Sequence, residues 1–275
     1  MTKKKLLVIL ISFSFALVVL FSCATLLSVK KVEVDYSLVN ADFKDVQNLL
    51  DKNLDKNLLF LDENDVKDTL SGQPYLEIVS VEKKFPNLLS VGIKERREVY
   101  RIQTDDKSYV LDENGVVLND TGNAKQGGEI IDLTFTTYEN NPNLTTKIEV
   151  VSAKLGKKLQ TSNDKAVYQT LSIAKNVGLF DCIKSIRIEL EVGFENNVYE
   201  EEFHVSFKTK TGVELRVDDL LIDGDRKGQV CFDAYNQEAT DYQKRFGNIL
   251  GFYSEGKLTV IHTFEGSPDT LFEDI

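Results

Sequence analysis

The chain has no tryptophan, one methionine, two histidines, three cysteines and four prolines in 275 residues. These scarcities narrow its chemistry. His204 and His262 are far apart and each falls in a strand-like run, which marks both as sheet residues. No G-x-S-x-G accompanies them, although a Ser-His-Asp triad is a spatial and not a sequential arrangement. No C-x-x-C occurs, so neither a zinc site nor a dithiol redox motif is supported. Cys23 lies in an apolar run. Cys182 and Cys231 lie outside it and read as two buried free thiols, with a disulfide chemically open to them in an oxidising compartment. Phosphate-cradling loops of the G-x-x-x-x-G-K-[ST] and G-x-G-x-x-G kinds are absent. Asp223-Gly224-Asp225 hints at a calcium loop, but the twelfth position from Asp223 is Ala234 where a bidentate Glu is needed, so an acidic turn is expected. Glu200-Glu201-Glu202 reads as a second solvated acidic turn. Basic charge is also short: the net charge is -11, which argues against nucleic acid as a partner. No catalytic residue, cofactor or metal ligand is predicted.

Apolar residues are not scarce. The run that starts at Leu6 and ends at Leu27 carries no charged residue and is mostly Leu, Ile, Val and Phe. At 1.5 Å per residue such a run matches a bilayer core of about 30 Å. Lys3, Lys4 and Lys5 precede it, which predicts a cytoplasmic N-terminus and an outward-facing remainder. A cleaved signal peptide would have a shorter apolar region and an A-x-A-like site, and there is none. Leu20-Phe21-Ser22-Cys23 resembles a lipoprotein box, with Phe21 a poor fit. The expectation is a single N-terminal transmembrane anchor over residues 1–28.

Beyond it, Val32, Val34 and Tyr36 alternate as a strand does. Asp42 sits at an N-cap position before Phe43, Val46, Leu49 and Leu50 at helical spacing. Asp62 or Asn64 caps a second short helix bearing Val66 and Leu70, which Gly72 and Pro74 end. Val79 and Val81 then share a strand face. Pro86-Asn87 turns the chain, and Leu89, Val91 and Ile93 resume the apolar face. The order is β-α-α-β-β. From Val99 the pattern becomes β-rich. Short strands flank the Asp112-Glu113-Asn114-Gly115 turn, and Ser162 or Asn163 caps a helix bearing Val167, Leu171 and Ala174. Ile186 to Val192, Phe203 to Phe207 and Val213 to Val217 read as a meander. Ala239, Tyr242, Phe246 and Ile249 mark a last helix before a final strand.

These residues resemble the FtsQ/DivIB family of bacterial cell-division proteins. Val29-Lys30-Lys31-Val32-Glu33-Val34 looks like the first strand of its POTRA domain, and Asn57-Leu58-Leu59-Phe60-Leu61-Asp62 like its linker into the second helix. Pro74-Tyr75-Leu76, Val81-Glu82-Lys83-Lys84-Phe85-Pro86-Asn87 and Val91-Gly92-Ile93-Lys94-Glu95-Arg96 resemble its next three elements. Tyr109-Val110-Leu111-Asp112-Glu113-Asn114-Gly115-Val116-Val117 resembles the opening of its β-domain. The resemblance is close from Val29 to about Leu118. Beyond that it rests on element order.

The expected fold is α+β: an anchor, a POTRA-like β-α-α-β-β domain over residues 29–98, a β-rich domain with about two helices over 99–263, and an acidic tail over 264–275. The resemblance implies a non-enzymatic scaffold at the division septum. It implies FtsL-like and FtsB/DivIC-like partners and the septal wall synthase. It also implies docking through a C-terminal edge strand, here Leu258, Thr259, Val260, Ile261, His262 and Thr263. The competing readings are a POTRA-bearing extracytoplasmic chaperone, a lipoprotein-anchored binding module, and a hydrolase using one of the histidines.

Overall fold

The computed structural model describes residues 11–15, 18, 25–37, 41–104, 106–139, 147–195, 198–210, 212–246, 256–262 and 268–274. Most of the run expected to anchor the chain, Cys23 included, lies outside the described residues. Among the described residues no helix is long and apolar enough to cross a membrane. The chain divides into two compact units, Met1–Arg96 and Arg97–Ile275.

The first unit has the order β1 (Lys31–Ser37), α1 (Phe43–Leu50), α2 (Glu63–Asp68), β2 (Leu76–Lys84) and β3 (Leu88–Glu95). Its sheet order is β1-β3-β2, with β1 parallel and β2 antiparallel to β3. Local chemistry sets the helix starts. The Asp42 carboxylate accepts the Lys44 N–H at 2.8 Å, and Asp62 closes a reciprocal capping box with Asp65. Such caps satisfy N–H groups that a first helical turn leaves orphaned, at about 1 kcal/mol each. Val46, Leu50, Val66 and Leu70 then bury against Leu89, Val91 and Ile93. Each such side chain is worth roughly 1.5–3 kcal/mol when fully buried.

One strand departs from the expected alternation. The β2/β3 register shifts between Ile78 and Ser80, so Val79 is the extra residue of a bulge and is exposed, while Ile78 and Val81 pack on the core. Gly92 lies opposite. A Cβ there would stand 2.4 Å from Ser80 Oγ and 3.2 Å from a Val79 methyl.

The second unit is built on a sheet of nine strands among the described residues, ordered β14-β13-β12-β11-β10-β7-β4-β5-β6. They are β4 (Tyr100–Gln103), β5 (Ser108–Leu111), β6 (Val117–Asn119), β7 (Ile131–Glu139), β10 (Ile183–Glu195), β11 (Val198–Thr209), β12 (Glu214–Val217), β13 (Gly256–His262) and β14 (Pro268–Asp274). A short ribbon of β8 (Val150–Ser152) and β9 (Gln160–Thr161) stands apart. The meander β10-β11-β12 forms as its alternation predicts. Its apolar side chains, Ile186, Ile188, Leu190, Phe203, Val205, Leu215 and Val217, join one core with α3 (Asp164–Asn176) and α4 (Gly224–Phe246). Asn163 is the residue that caps α3, through the Ala166 N–H at 3.1 Å.

Three expectations change here. The acidic segment after residue 263 is not a plain tail: 268–274 forms β14, antiparallel to β13. Proline is tolerated as the first residue of a strand, and acidic side chains suit a sheet margin. Glu200, Glu201 and Glu202 are not a turn but lie inside β11, paired with Gly193, Val192 and Glu191. Helix α4 begins at Gly224, inside the expected acidic turn and well before Ala239, while Ile249 lies outside the described residues. The early start was hidden by a buried cation. Lys227 sits on the inward face with Cys231 and Tyr235, and its ammonium donates to the Asp218 and Asp219 carbonyls at 2.8 and 3.2 Å.

The Asp112 turn depends on Gly115. The Asp112 carboxylate accepts the Asn114 and Val116 N–H groups, each at 2.8 Å. Gly115 has φ +78°, and a Cβ on it would stand 2.9 Å from the Tyr168 ring and 3.0 Å from Leu171. Gly115→Ala should therefore destabilise the protein by about 1–3 kcal/mol through strain and overpacking. An unchanged urea midpoint would contradict this placement of the turn against α3.

Candidate partner-binding surface

Sheet margins are where this fold leaves main-chain groups unpaired. In the first unit the margins among the described residues are β1 and β2, and in the second they are β6 and β14. Beside β1 runs a groove of about 500 Å³, lined by Val34, Phe43, Lys84 and Ser90 among others.

The residues expected to form an edge strand are placed differently. Leu258, Thr259, Val260, Ile261 and His262 lie in β13, while Thr263 is outside the described residues. β13 is parallel to β12, with Leu258 opposite Leu215 and Val260 opposite Val217. On its other side it is antiparallel to β14, with Leu258 opposite Phe272 and His262 opposite Pro268. A strand with ladders on both sides is not a margin, so the expected edge is corrected to its neighbour β14. The reason is the unforeseen pairing of 268–274, which shifts the sheet boundary outward by one strand.

The side of β10–β12 turned away from the helices carries an ionic network. Side chains alternate along a strand, so the same residues that send Ile186, Ile188 and Leu190 into the core send Arg187 and Glu189 to the opposite face. Glu189 is 1% exposed. Its carboxylate accepts from Arg187 Nε at 2.8 Å and from the Arg216 guanidinium. Arg187 also reaches Glu214 at 2.8 Å, and Arg216 Nε reaches Asp218 at 2.7 Å. Asp218 in turn lies 2.9 Å from His204 Nδ1. Burial works against a charged His204, but the Asp218 hydrogen bond and charge outweigh it and the imidazole pKa is raised. Burial likewise works against the Asp218 carboxylate, and the His204 hydrogen bond and the Arg216 charge outweigh it, so its pKa is lowered.

This arrangement balances charge and does not resemble a nucleophile with its base. His204 Nε2 has no hydrogen-bond partner; it faces Glu191 at 3.5 Å and Glu202 at 3.9 Å. The nearby Ser206 hydroxyl is also unpartnered. Among the described residues no group of His, Cys, Asp and Glu is placed to hold a metal ion. Cys182 and Cys231 are free thiols, and burial pushes Cys231 up to about 12, which leaves it a poor nucleophile.

Against this geometry stand the relatives. Residues 27–96 match the POTRA domain, FtsQ-type. The chain is 37% identical over 71 residues to the cell division protein DivIB of Clostridium tetani, covering 26% of this chain and 27% of the relative. It is 29% identical over 143 residues to DivIB of Clostridium acetobutylicum, covering 51% of this chain and 53% of the relative. DivIB of Clostridium botulinum strain Hall is 32% identical over 62 residues, covering 22% of this chain and 24% of the relative. The chain carries an FtsQ-type POTRA domain and is similar to DivIB cell division proteins. The aligned stretches span between about a quarter and a half of these relatives' length. The POTRA match ends at Arg96, where the first compact unit also ends.

The alternation that predicts the meander does not reveal the ionic network. Its signal was present: Arg187, Glu189 and Glu191 occupy every second position among aliphatic residues. Such a pattern reads as a solvated face until Glu189 is seen to be buried. Removing Glu189 takes one of two carboxylate partners from each of Arg187 and Arg216 and leaves Glu214 and Asp218 in place, so Glu189→Ala should cost roughly 1–3 kcal/mol in urea unfolding. A loss indistinguishable from zero would mean the network is an open-surface arrangement. His204 adds pH dependence. Its raised pKa means its contribution is fully present below the unfolded value and is lost as pH rises through the folded one. The stability gap between the parent protein and His204→Gln should thus shrink between about pH 5 and about pH 8. A gap that is constant or widens would contradict the His204–Asp218 pairing.

Proposed function

We propose that this chain is a non-enzymatic scaffold of bacterial cell division. In this reading it is held in the plasma membrane by the run from Leu6 to Leu27 and exposes its two units outside the cell. It gathers at the septum, binds FtsL-like and FtsB/DivIC-like partners, and supports the septal wall synthase. The observation that carries the reading is the FtsQ-type POTRA domain over residues 27–96, joined to a β-rich unit in a chain similar to proteins named for cell division. The physical means is strand addition. An unpaired strand margin accepts an extended segment through main-chain hydrogen bonds, and alternate side chains give selectivity.

Within that reading, the partner surface is the C-terminal pair β13–β14. The β14 main chain offers the margin, and residues Leu258 to His262 flank it one strand in. Support comes from the sheet order, in which β14 is terminal among the described residues. Depleting the protein in its own cell should give filaments, and a fluorescent fusion should collect at mid-cell; normal septation with a dispersed signal would contradict the role. Photoreactive residues placed along β13 and β14 should crosslink to a small division protein most strongly from β14. Crosslinks confined to β6 or to the POTRA unit would remove the strand-addition surface from the account.

A further inference from the structure

The residues that lead into β1 are gripped from two sides. On one side Leu58 N–H donates to the Leu27 carbonyl, Val29 N–H to the Lys56 carbonyl and Asp55 N–H to the Val29 carbonyl, each at 2.8 Å. On the other side Lys30 N–H donates to the Asn87 carbonyl at 2.8 Å. The parallel register, with Lys31 opposite Leu88, puts the β2–β3 turn beside the start of β1. The loop over 54–60 and the turn over 85–87 therefore flank the point where the chain leaves residue 27.

Both tips are apolar and exposed. Phe60 is 84% exposed, Phe85 57% and Leu59 54%. The Phe60 tip is held in place: the Asn57 side chain accepts the Leu59 N–H at 2.9 Å, and the Asn57 carbonyl accepts from Phe60 at 3.1 Å and Leu61 at 2.9 Å. Leu58 and Leu61 on either side are buried in the core. The turn thus presents Leu59 and Phe60 outward by construction. At the far end of β1, by contrast, exposed Tyr36 is already stacked on Phe43 at 4.7 Å. Single exposed apolar residues need no explanation, but two aromatic tips beside the end of a 22-residue uncharged run do.

We propose that this end of the POTRA unit is a membrane footing, with Phe60, Leu59 and Phe85 seated in the headgroup layer of the bilayer that takes up the Leu6 to Leu27 run. The proposal rests on that run being membrane-embedded. The reach is adequate: the polar layer on one side of a bilayer is roughly 5–8 Å deep, and the 54–60 loop is hydrogen-bonded to the last residue of the run. Aromatic side chains partition into this layer. Lys30, Lys31, Lys83 and Lys84 stand exposed around the tips, partly offset by Asp55, Glu33 and Glu82, and suit a surface of anionic headgroups. The footing would fix the tilt of the POTRA unit, which a single covalent link cannot do.

Because the chain has no tryptophan, one substitution makes a unique reporter. Full-length Phe60→Trp, Phe85→Trp, Tyr36→Trp and Phe13→Trp are each reconstituted in phosphatidylcholine–phosphatidylglycerol vesicles, with and without brominated acyl chains. Phe13→Trp reports the anchor and Tyr36→Trp the far end of β1. Phe60→Trp and Phe85→Trp should shift to the blue and be quenched several-fold more than Tyr36→Trp, though less than Phe13→Trp. Strong quenching at Phe13→Trp with Phe60→Trp and Phe85→Trp no different from Tyr36→Trp overturns the footing and leaves the anchor standing. Absence of quenching at Phe13→Trp overturns the anchor and the footing together. A blue shift at Phe60→Trp that bromine does not quench assigns the tips to a second copy or another protein, and also overturns the footing.

Discussion

The second unit depends on the pairing of β10 with both neighbours. Ile183–Glu195 is parallel to β7 on one side and antiparallel to β11 on the other. It is the strand through which the β4–β7 half of the sheet meets the β11–β14 half. Its alternation then sets two faces at once. The aliphatic set packs under α3 and α4, and Arg187, Glu189 and Glu191 turn the other way. A slip of one residue would exchange those faces and drive the carboxylates into the core, at several kcal/mol for each unpaired charge. The buried Glu189 pairing fixes the register from the polar side as the isoleucines do from the apolar side.

The proposed strand addition would draw on that fixed register. Strand addition needs donors and acceptors already in line, so that association is not spent on ordering both partners. A sheet locked through β10 carries the terminal strands in a set arrangement. The first unit uses the same device at smaller scale. Parallel pairing of β1 with β3 brings the lead-in residues between two loops, and its β2 bulge, with Gly92 opposite, bends the outer strand.

Much of the first unit was legible because its signals are local. Asp42 and Asp62 stand at caps, Leu89, Val91 and Ile93 alternate, and Pro86-Asn87 breaks the run. The Val79 bulge was not, because a bulge depends on which residue the opposite strand presents, and Gly92 is informative only once it is paired with Ser80. In the second unit the meander could be read from period-two alternation. The start of α4 could not, since a lysine on the buried face looks polar until its ammonium is seen on two carbonyls. β14 was missed because acidic residues and proline argue against a central strand but permit a terminal one. Hence the strand expected to be terminal lies one strand in from the margin.

The central claim is that a sheet rigid at β10 offers its β14 margin to a partner. Backbone hydrogen exchange, with the protein alone and with the FtsB/DivIC-type partner proposed for it, addresses both halves of it. The account predicts that β10 amides are the slowest to exchange in the free protein, and that protection gained on binding appears first along Pro268–Asp274. Fast exchange throughout β10, or binding that leaves 268–274 unchanged while protecting other strands, would contradict it.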